Sequence, residues 1–407
     1  MYLTFAWRYF KAKKSANAIN IIAWVTVGVI TFAIACQILV LSVFNGFEGL
    51  VTSLYASFYA DIKIAPAKGK TFILTPQQLT LIKQQKGVSA VSLIAEEKAL
   101  LQNEDLQTIV YLKGVDNNYS NVTGVAAKTF AGKFNTGTIE EPGLIVGTGI
   151  QNAAAINVDA AFAQSKLTLI LPKKVKISVS DPLQSLSEGI ATATGVFAIQ
   201  QDFDNKYAIT NIDFVKQQMG FATDEYSGAE IKLSDNTDLE AAQLQLSNLL
   251  GNSYVVQTKY QQNTSLYNTM KLEKWFIYAV LTLILFIAAF NMVSALTMLV
   301  LEKQKDISVL QSMGADKGMI QKIFLSEGLL LAGIGTFTGI ILALIICFLQ
   351  VNFKLIKLEG GSFLIDYFPV KLQASDFLLV TFTAIIIAFF ASWFPARKAS
   401  KQLIELR

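Results

Sequence analysis

The sequence predicts an α-helical integral membrane protein: four transmembrane helices, with a large mixed α/β domain inserted between the first helix and the second. Three observations carry that reading. Of 407 residues, 53% are hydrophobic and only 16% charged, against roughly 25% charged in ordinary soluble domains. Four stretches, 19–44, 275–301, 328–351 and 377–396, reach the length of about 20 apolar residues that crosses a bilayer core. Residues 45–274, between the first two, have ordinary mixed composition and enough length to bury a core of their own.

Basic residues in the short flanks set the orientation. Segment 1–18 carries Arg8, Lys11, Lys13 and Lys14; segment 397–407 carries Arg397, Lys398 and Lys401; loop 302–327 carries Lys303, Lys305, Lys317 and Lys322. All three therefore read as cytoplasmic, both termini included, which places the domain 45–274 and the loop 352–376 outside. The first span has a second reading as a cleaved signal, with "AIAC" ending at Cys36 as a poor lipobox. Its apolar run continues through "QILVLSVF", longer than a signal core, so it is kept as a span. The net charge of +4 gives no support to a nucleic-acid partner.

In the external domain, "ADIKIAP" alternates like a strand. "TPQQLTLIKQQKG" reads as a helix with Thr75 as N-cap, Pro76 at its first position and Gly87 at its close. "QTIVYLKGVD" and "KLTLILPKKVKISVS" have the period of strands, while "NIDFVKQQMGF" and "NTDLEAAQLQLSNLLGN" read as amphipathic helices ending at glycine. "SDPLQSLSEG", residues 180–189, is a turn-rich loop between strands. From about Val255 the pattern turns helical, and no Pro or Gly interrupts Gln257 to Leu301. That predicts one long helix rising out of the membrane, or a separate helix joined to span two by a hinge near Lys274.

The residue inventory excludes most chemistry. The only cysteines, Cys36 and Cys347, fall in spans, and there is no histidine, so the external domain has no disulfide, no Cys-type or His-ligated metal site and no His-based triad. "KGKT" at 68–71 ends like a phosphate loop, but Ile64 stands where that loop needs its first glycine. The chain is read as non-enzymatic, with no catalytic residue, metal or bound cofactor. The spans contain no Asp, Glu, Lys or Arg, which argues against the ion relays of secondary transporters; energy for any transport comes from elsewhere.

Span three places Gly328, Ala332, Gly335, Gly339 and Ala343 along one face, a small-residue stripe that serves packing within the chain or a seam to a second copy. After span two the chain turns abruptly polar in "LEKQKDISVLQSMGADKG", from Leu301. Ile307, Leu310 and Met313 recur at three-residue steps, Gly314 suits a helix C-cap and Asp316 a following N-cap. The segment reads either as a hairpin lying on the membrane or as a helix that docks in a partner's groove.

The stretch "KLEKWFIYAVLTLILFIAAFNMVSALTMLVLEKQKDISVLQSMGA" closely resembles the permeases of lipoprotein-releasing ABC transporters, the Lol permeases, within the FtsX/MacB-like superfamily. "LSVFNGFE", "PGLIVGTGIQNAAAINVDA" and "FPVKLQASDF…ASWFPARKAS" extend the resemblance over nearly the whole chain. It implies a MacB-like, type VII ABC permease fold in the inner membrane of a Gram-negative bacterium, with the large domain periplasmic. It also implies that the corner after span two is a coupling helix, with Lys305, Asp306, Ile307, Leu310, Met313, Gly314 and Ala315 contacting a separate cytoplasmic P-loop ATPase that holds ATP and Mg. Phe44, Asn45 and Phe47 would lie at a substrate cavity where span one exits. Asp181, Pro182, Leu183, Gln184, Ser185 and Leu186 would form a loop that docks a periplasmic lipoprotein carrier, and Gly335 and Gly339 would pack helices. The implied partners are the lipoprotein substrate and a second permease, a copy of this chain or a sister. A MacB-like efflux permease is a rival, although such proteins usually carry their ATPase fused ahead of span one, where about eighteen residues stand here. An FtsX-like signalling module controlling cell-wall hydrolases is another.

Overall fold

The computed structural model describes residues 17–159, 161, 163–174, 185–358 and 366–401. It divides into two compact units, Val51–Tyr267 and a membrane unit of Met1–Leu50 with Asn268–Arg407.

The first unit is built on strands β1 (Ile62–Pro66), β2 (Phe72–Ile73), β3 (Val88–Asn103), β4 (Leu106–Val115), β5 (Thr129–Gly132) and β6 (Gly143–Gly147). It continues with β7 (Lys166–Pro172), β8 (Leu186–Phe197), β9 (Tyr207–Asn211), β10 (Glu225–Tyr226), β11 (Gly228–Leu233) and β12 (Tyr254–Thr258). Ten of these make one mostly antiparallel sheet in the order β12-β1-β11-β3-β4-β9-β6-β8-β5, with β7 bridging β3 and β8. The predicted helices form, each opened by a side-chain cap. Thr75 and Gln78 form a capping box on Pro76–Lys83, although that helix stops at Gln84, before Gly87. Asn211 caps Ile212–Met219, which ends on the left-handed Gly220, and Asp238 caps Leu239–Leu250 before Gly251.

Among the described residues the membrane unit has four helices long and apolar enough to cross a bilayer: α1 (Asn17–Phe58), α2 (Thr264–Glu302), α4 (Lys317–Phe353) and α5 (Ala374–Ser400), with the short α3 (Gln304–Ser312) between the second and third. Two boundaries differ from the sequence expectation. The first helix does not stop at residue 44 but runs to Phe58, and its last turns lie in the first unit. There Tyr55 and Phe58 are buried against Phe203, with Phe58 stacked on it at 4.3 Å between ring centroids. The second helix starts at Thr264, not near Val255, because residues 254–258 are β12, paired antiparallel with β1. A run without Pro or Gly permits a helix but does not require one; here Val256 faces Ile64 in the ladder and is buried. The helix is continuous through Lys274.

The helices pack without help from the hydrophobic effect, since lipid is as apolar as leucine; close backbone approach takes its place. The small residues of α4 supply it. A Cβ on Gly335 would stand 2.8 Å from Ile30 Cγ2, and one on Gly339 would stand 2.7 Å from the Thr31 carbonyl oxygen, both on α1. The stripe thus lies against a helix of the same chain. On this packing, Gly339→Leu destabilises the detergent-solubilised protein by about 1–3 kcal/mol, the usual cost of overpacking. Gly333→Leu, with nothing within 4 Å of its Cβ position, leaves the thermal midpoint unchanged; differential scanning fluorimetry of both variants checks this.

Candidate functional site

The corner between α2 and α4 is a built element. The short α3 closes with a Schellman arrangement: Ala315 donates its N–H to the Leu310 carbonyl at 2.9 Å and Gly314 to Gln311 at 3.0 Å, with Gly314 at a φ of 96°. Asp316 then caps α4, accepting the Met319 N–H at 2.9 Å. Lys303 pairs with Asp306 at 2.9 Å.

The face this helix presents differs from the one expected. Ile307 is 2% exposed and belongs to the helix-bundle core, together with Leu299, Ile320 and Phe324. It therefore seats α3 on its own chain and is withdrawn from the list of partner contacts. Leu310 and Ala315 are half-buried, Lys305 and Gly314 are exposed and Asp306 is partly so. The apolar side chains left in the open are Met313, 80% exposed, and Val309, 58% exposed. Val309, one turn before Met313, was missed by the sequence reading. The i, i+4 spacing Lys305–Val309–Met313 was the signal that could have found it.

At the other end of the bundle, the predicted exit residues are not open. Asn45 is 1% exposed and lies in a polar knot. Its Nδ2 donates to Asp376 Oδ2 at 2.6 Å, and its Oδ1 accepts from Lys274 Nζ at 2.8 Å. Lys274 also reaches Asp376 Oδ1 at 3.3 Å and Gln373 Oε1 at 3.3 Å. Phe44 is half-buried, and Phe47 stands edge-on to Phe368 at 5.7 Å. In this conformation Asn45 ties helices together; it does not line a cavity. The open apolar grooves lie elsewhere, one of about 320 Å³ between α2 and α5 lined by Phe286, Phe290 and Phe390, another of about 210 Å³ between α4 and α5.

Of the proposed carrier loop, Asp181, Pro182, Leu183 and Gln184 lie outside the described residues. Ser185 and Leu186 are at its base: the Ser185 carbonyl accepts the Lys173 N–H at 2.7 Å, and Leu186 pairs with Pro172 as the first residue of β8. Leu186 is thus a strand residue, not a loop residue, and its side chain is exposed. "KGKT" forms no phosphate cradle either, since Thr71 leads into strand β2 instead of opening a helix, and Lys70 is bonded to Glu97 at 2.6 Å. Among the described residues no group of three His, Cys, Asp or Glu is placed to hold a metal.

Among the described residues the external unit keeps one ion pair fully inside. Lys113 on β4 and Glu230 on β11 meet at 2.7 Å, each almost wholly buried. The Lys113 ammonium also lies 4.9 Å from the ring centroids of Phe58 and Tyr119, a cation–π box. Burial alone would push the Lys113 pKa down; the charge of Glu230 overrides it and holds the ammonium above its ordinary value. Burial pushes the Tyr119 hydroxyl up to about 12. Removing one member strands the other charge in the core, so Lys113→Met costs about 3–5 kcal/mol, while Lys113→Met with Glu230→Leu recovers most of it. Urea unfolding of the full chain and the two variants, followed in detergent, measures the difference.

Residues 23–249 match the family model of the MacB-like periplasmic core domain, and residues 278–404 that of the FtsX-like permease C-terminal region. The chain belongs to the MacB-like family and carries an FtsX-like permease region after its external domain. It is 27% identical to the lipoprotein-releasing system transmembrane protein LolC of Neisseria meningitidis, over 97% of this chain and 95% of that one. It is also 27% identical to the corresponding protein LolE of Haemophilus influenzae, over 97% and 96%. Among solved structures, the periplasmic region of MacB from Actinobacillus actinomycetemcomitans is 13% identical, covering 51% of this chain and 92% of that one at a TM-score of 0.36.

Proposed function

We propose that this chain is the transmembrane subunit of an ABC transporter that extracts outer-membrane-destined lipoproteins from the inner membrane of a Gram-negative bacterium. A separate ATPase subunit supplies the energy, a second permease, copy or sister, completes the complex, and a periplasmic carrier receives the cargo. The observation that carries this reading is the end-to-end similarity to lipoprotein-releasing transmembrane proteins, which spans both the external domain and the membrane helices.

The geometry of the corner supports the mechanical half of this reading. A helix that is to receive a push needs a rigid seat and an exposed contact. Ile307 provides the seat inside the bundle, and Val309 and Met313 the contact. An apolar pair beside Lys305 matches the way helices dock into grooves, by anchors one turn apart. α2 leads away from this corner without a break from Glu302 back to Thr264, so displacement at the cytoplasmic end is carried along one continuous element. The chain's own part is structural; nucleotide chemistry belongs to the partner.

Purification of the tagged protein in mild detergent, with mass spectrometry of what accompanies it, tests the reading. A P-loop ATPase together with acylated lipoproteins supports it. An ATPase with a periplasmic adaptor and an outer-membrane channel points to efflux instead, and one with a cell-wall hydrolase points to signalling. In the same experiment Val309→Asp with Met313→Asp loses the ATPase at least tenfold while the protein still inserts. Ile307→Asp instead lowers the yield of folded protein, because it buries a charge in the bundle.

A further inference from the structure

We propose that the turn between α4 and α5 is a lipid-binding element. Residues 354–358 and 366–368 lie in the headgroup region of the leaflet at that end of the bundle, with Leu355 and Ile356 among the acyl chains and Lys354 and Lys357 on the phosphates.

The backbone here is prepared for a place without water. Residues 356–358 and 366–368 form a short antiparallel ladder about the Lys357–Tyr367 bridge. The Leu358 N–H donates to the Asp366 carbonyl at 3.0 Å, and the Phe368 N–H to the Ile356 carbonyl at 3.2 Å. Gln350, buried near the end of α4, completes the ladder. Its Oε1 accepts the Ile356 N–H at 2.9 Å, and its Nε2 donates to the carbonyls of Ile356 at 3.0 Å and Phe368 at 3.2 Å. One buried amide thus serves three backbone groups at an edge whose apolar side chains are open. In water those groups would be solvated without help; in lipid they have to be satisfied within the chain.

The side chains fit the same boundary. Leu355 is 66% exposed and Ile356 57%, and they continue the open apolar surface at the end of α4, where Val351 and Phe353 are exposed. Lys354 and Lys357 alternate with them and are exposed too. Their stems can lie along apolar surface while the ammonium groups reach the phosphates. The Lys354 ammonium stands 4.2 Å from the ring centroid of Tyr367, an aromatic residue of the kind that gathers at membrane–water boundaries. Asp366 is exposed as well. Two lysines against one carboxylate leave these residues net positive, which complements a phosphate layer.

The turn is also firmly seated. Phe368 stands edge-on to Phe47 of α1 at 5.7 Å, and Lys371 donates its N–H to the Ser42 carbonyl at 2.9 Å. With both backbone groups of Ile356 tied down, its side chain is not free to fold back beneath the ladder. A protein partner would cover the same apolar pair. Lipid is favoured because the surface is unbroken with that of a membrane-spanning helix, and because the ladder already satisfies its own polar groups.

The test uses the full chain in liposomes of phosphatidylethanolamine and phosphatidylglycerol, with Cys36→Ser and Cys347→Ala removing the native thiols. A nitroxide is attached to the Leu355→Cys variant, and power saturation compares its collisions with oxygen, which concentrates in lipid, and with a water-soluble nickel chelate. The same label on the Asp105→Cys variant, at an exposed turn of the external unit, is the water reference. A lipid-seated turn gives an oxygen-to-nickel ratio at least roughly threefold above the reference. A ratio equal to the reference overturns the proposal. Shielding from both collision partners overturns it too, since a second copy of the chain would then cover the turn. In the labelled chain, Lys354→Glu with Lys357→Glu lowers the ratio at least roughly twofold, while Lys354→Arg with Lys357→Arg leaves it unchanged. Charge reversal without effect overturns the role of the lysines. Neither readout depends on what the complex transports.

Discussion

Lipid offers no hydrogen-bond partner, and the arrangement of this protein follows from that constraint. Between residues 19–44, 275–301, 328–351 and 377–396 there is no charged side chain; the ionic groups of the membrane unit are displaced to its two ends. At one end they surround the short α3, and at the other they form a buried knot. A change at one end cannot be relayed by charges through the middle. It has to travel as movement of whole helices, which is why continuity of α2 and close contact of α4 with α1 matter more than any single side chain within the spans.

Packing in the middle is correspondingly made from what is absent. Gly335 and Gly339 have no side chain where Ile30, Thr31 and Ile34 approach. In the external unit the logic reverses: a ten-stranded sheet has surface enough to enclose an ion pair, and the Lys113 ammonium is held there by Glu230 and by two aromatic rings. Phe58, one of those rings, is the last residue of the first membrane helix. The end of that helix is therefore part of the domain's core.

Much of this was legible in the sequence. Span count, the inserted domain, the cap at Thr75, the two helices closing at Gly220 and Gly251, and the glycine corner at Gly314 all follow from local patterns that tertiary contacts left intact. The errors have physical causes. Three-residue steps drift by about 60° on a helix that turns roughly 100° per residue, so Ile307 and Met313 end about 120° apart and do not share a face. Val309 and Met313, four apart, do. Residues 254–258 carry no helix breaker, yet the strand they form is fixed by pairing with β1, a contact about two hundred residues distant that local pattern does not encode. Asn45 was singled out, but its partners were not. Lys274 and Asp376 fall one residue outside the assigned apolar spans, where charges are expected to meet water, and only the folded bundle brings them onto one amide.

The most direct measurement of the central claim is ATP-driven release from a defined membrane. The chain, with the ATPase that accompanies it, is reconstituted into liposomes containing an acylated lipoprotein, and the lipoprotein transferred to a soluble carrier is counted. The account predicts transfer that requires ATP hydrolysis and stops with a non-hydrolysable analogue. Vigorous ATP turnover with the lipoprotein remaining in the liposomes would contradict it.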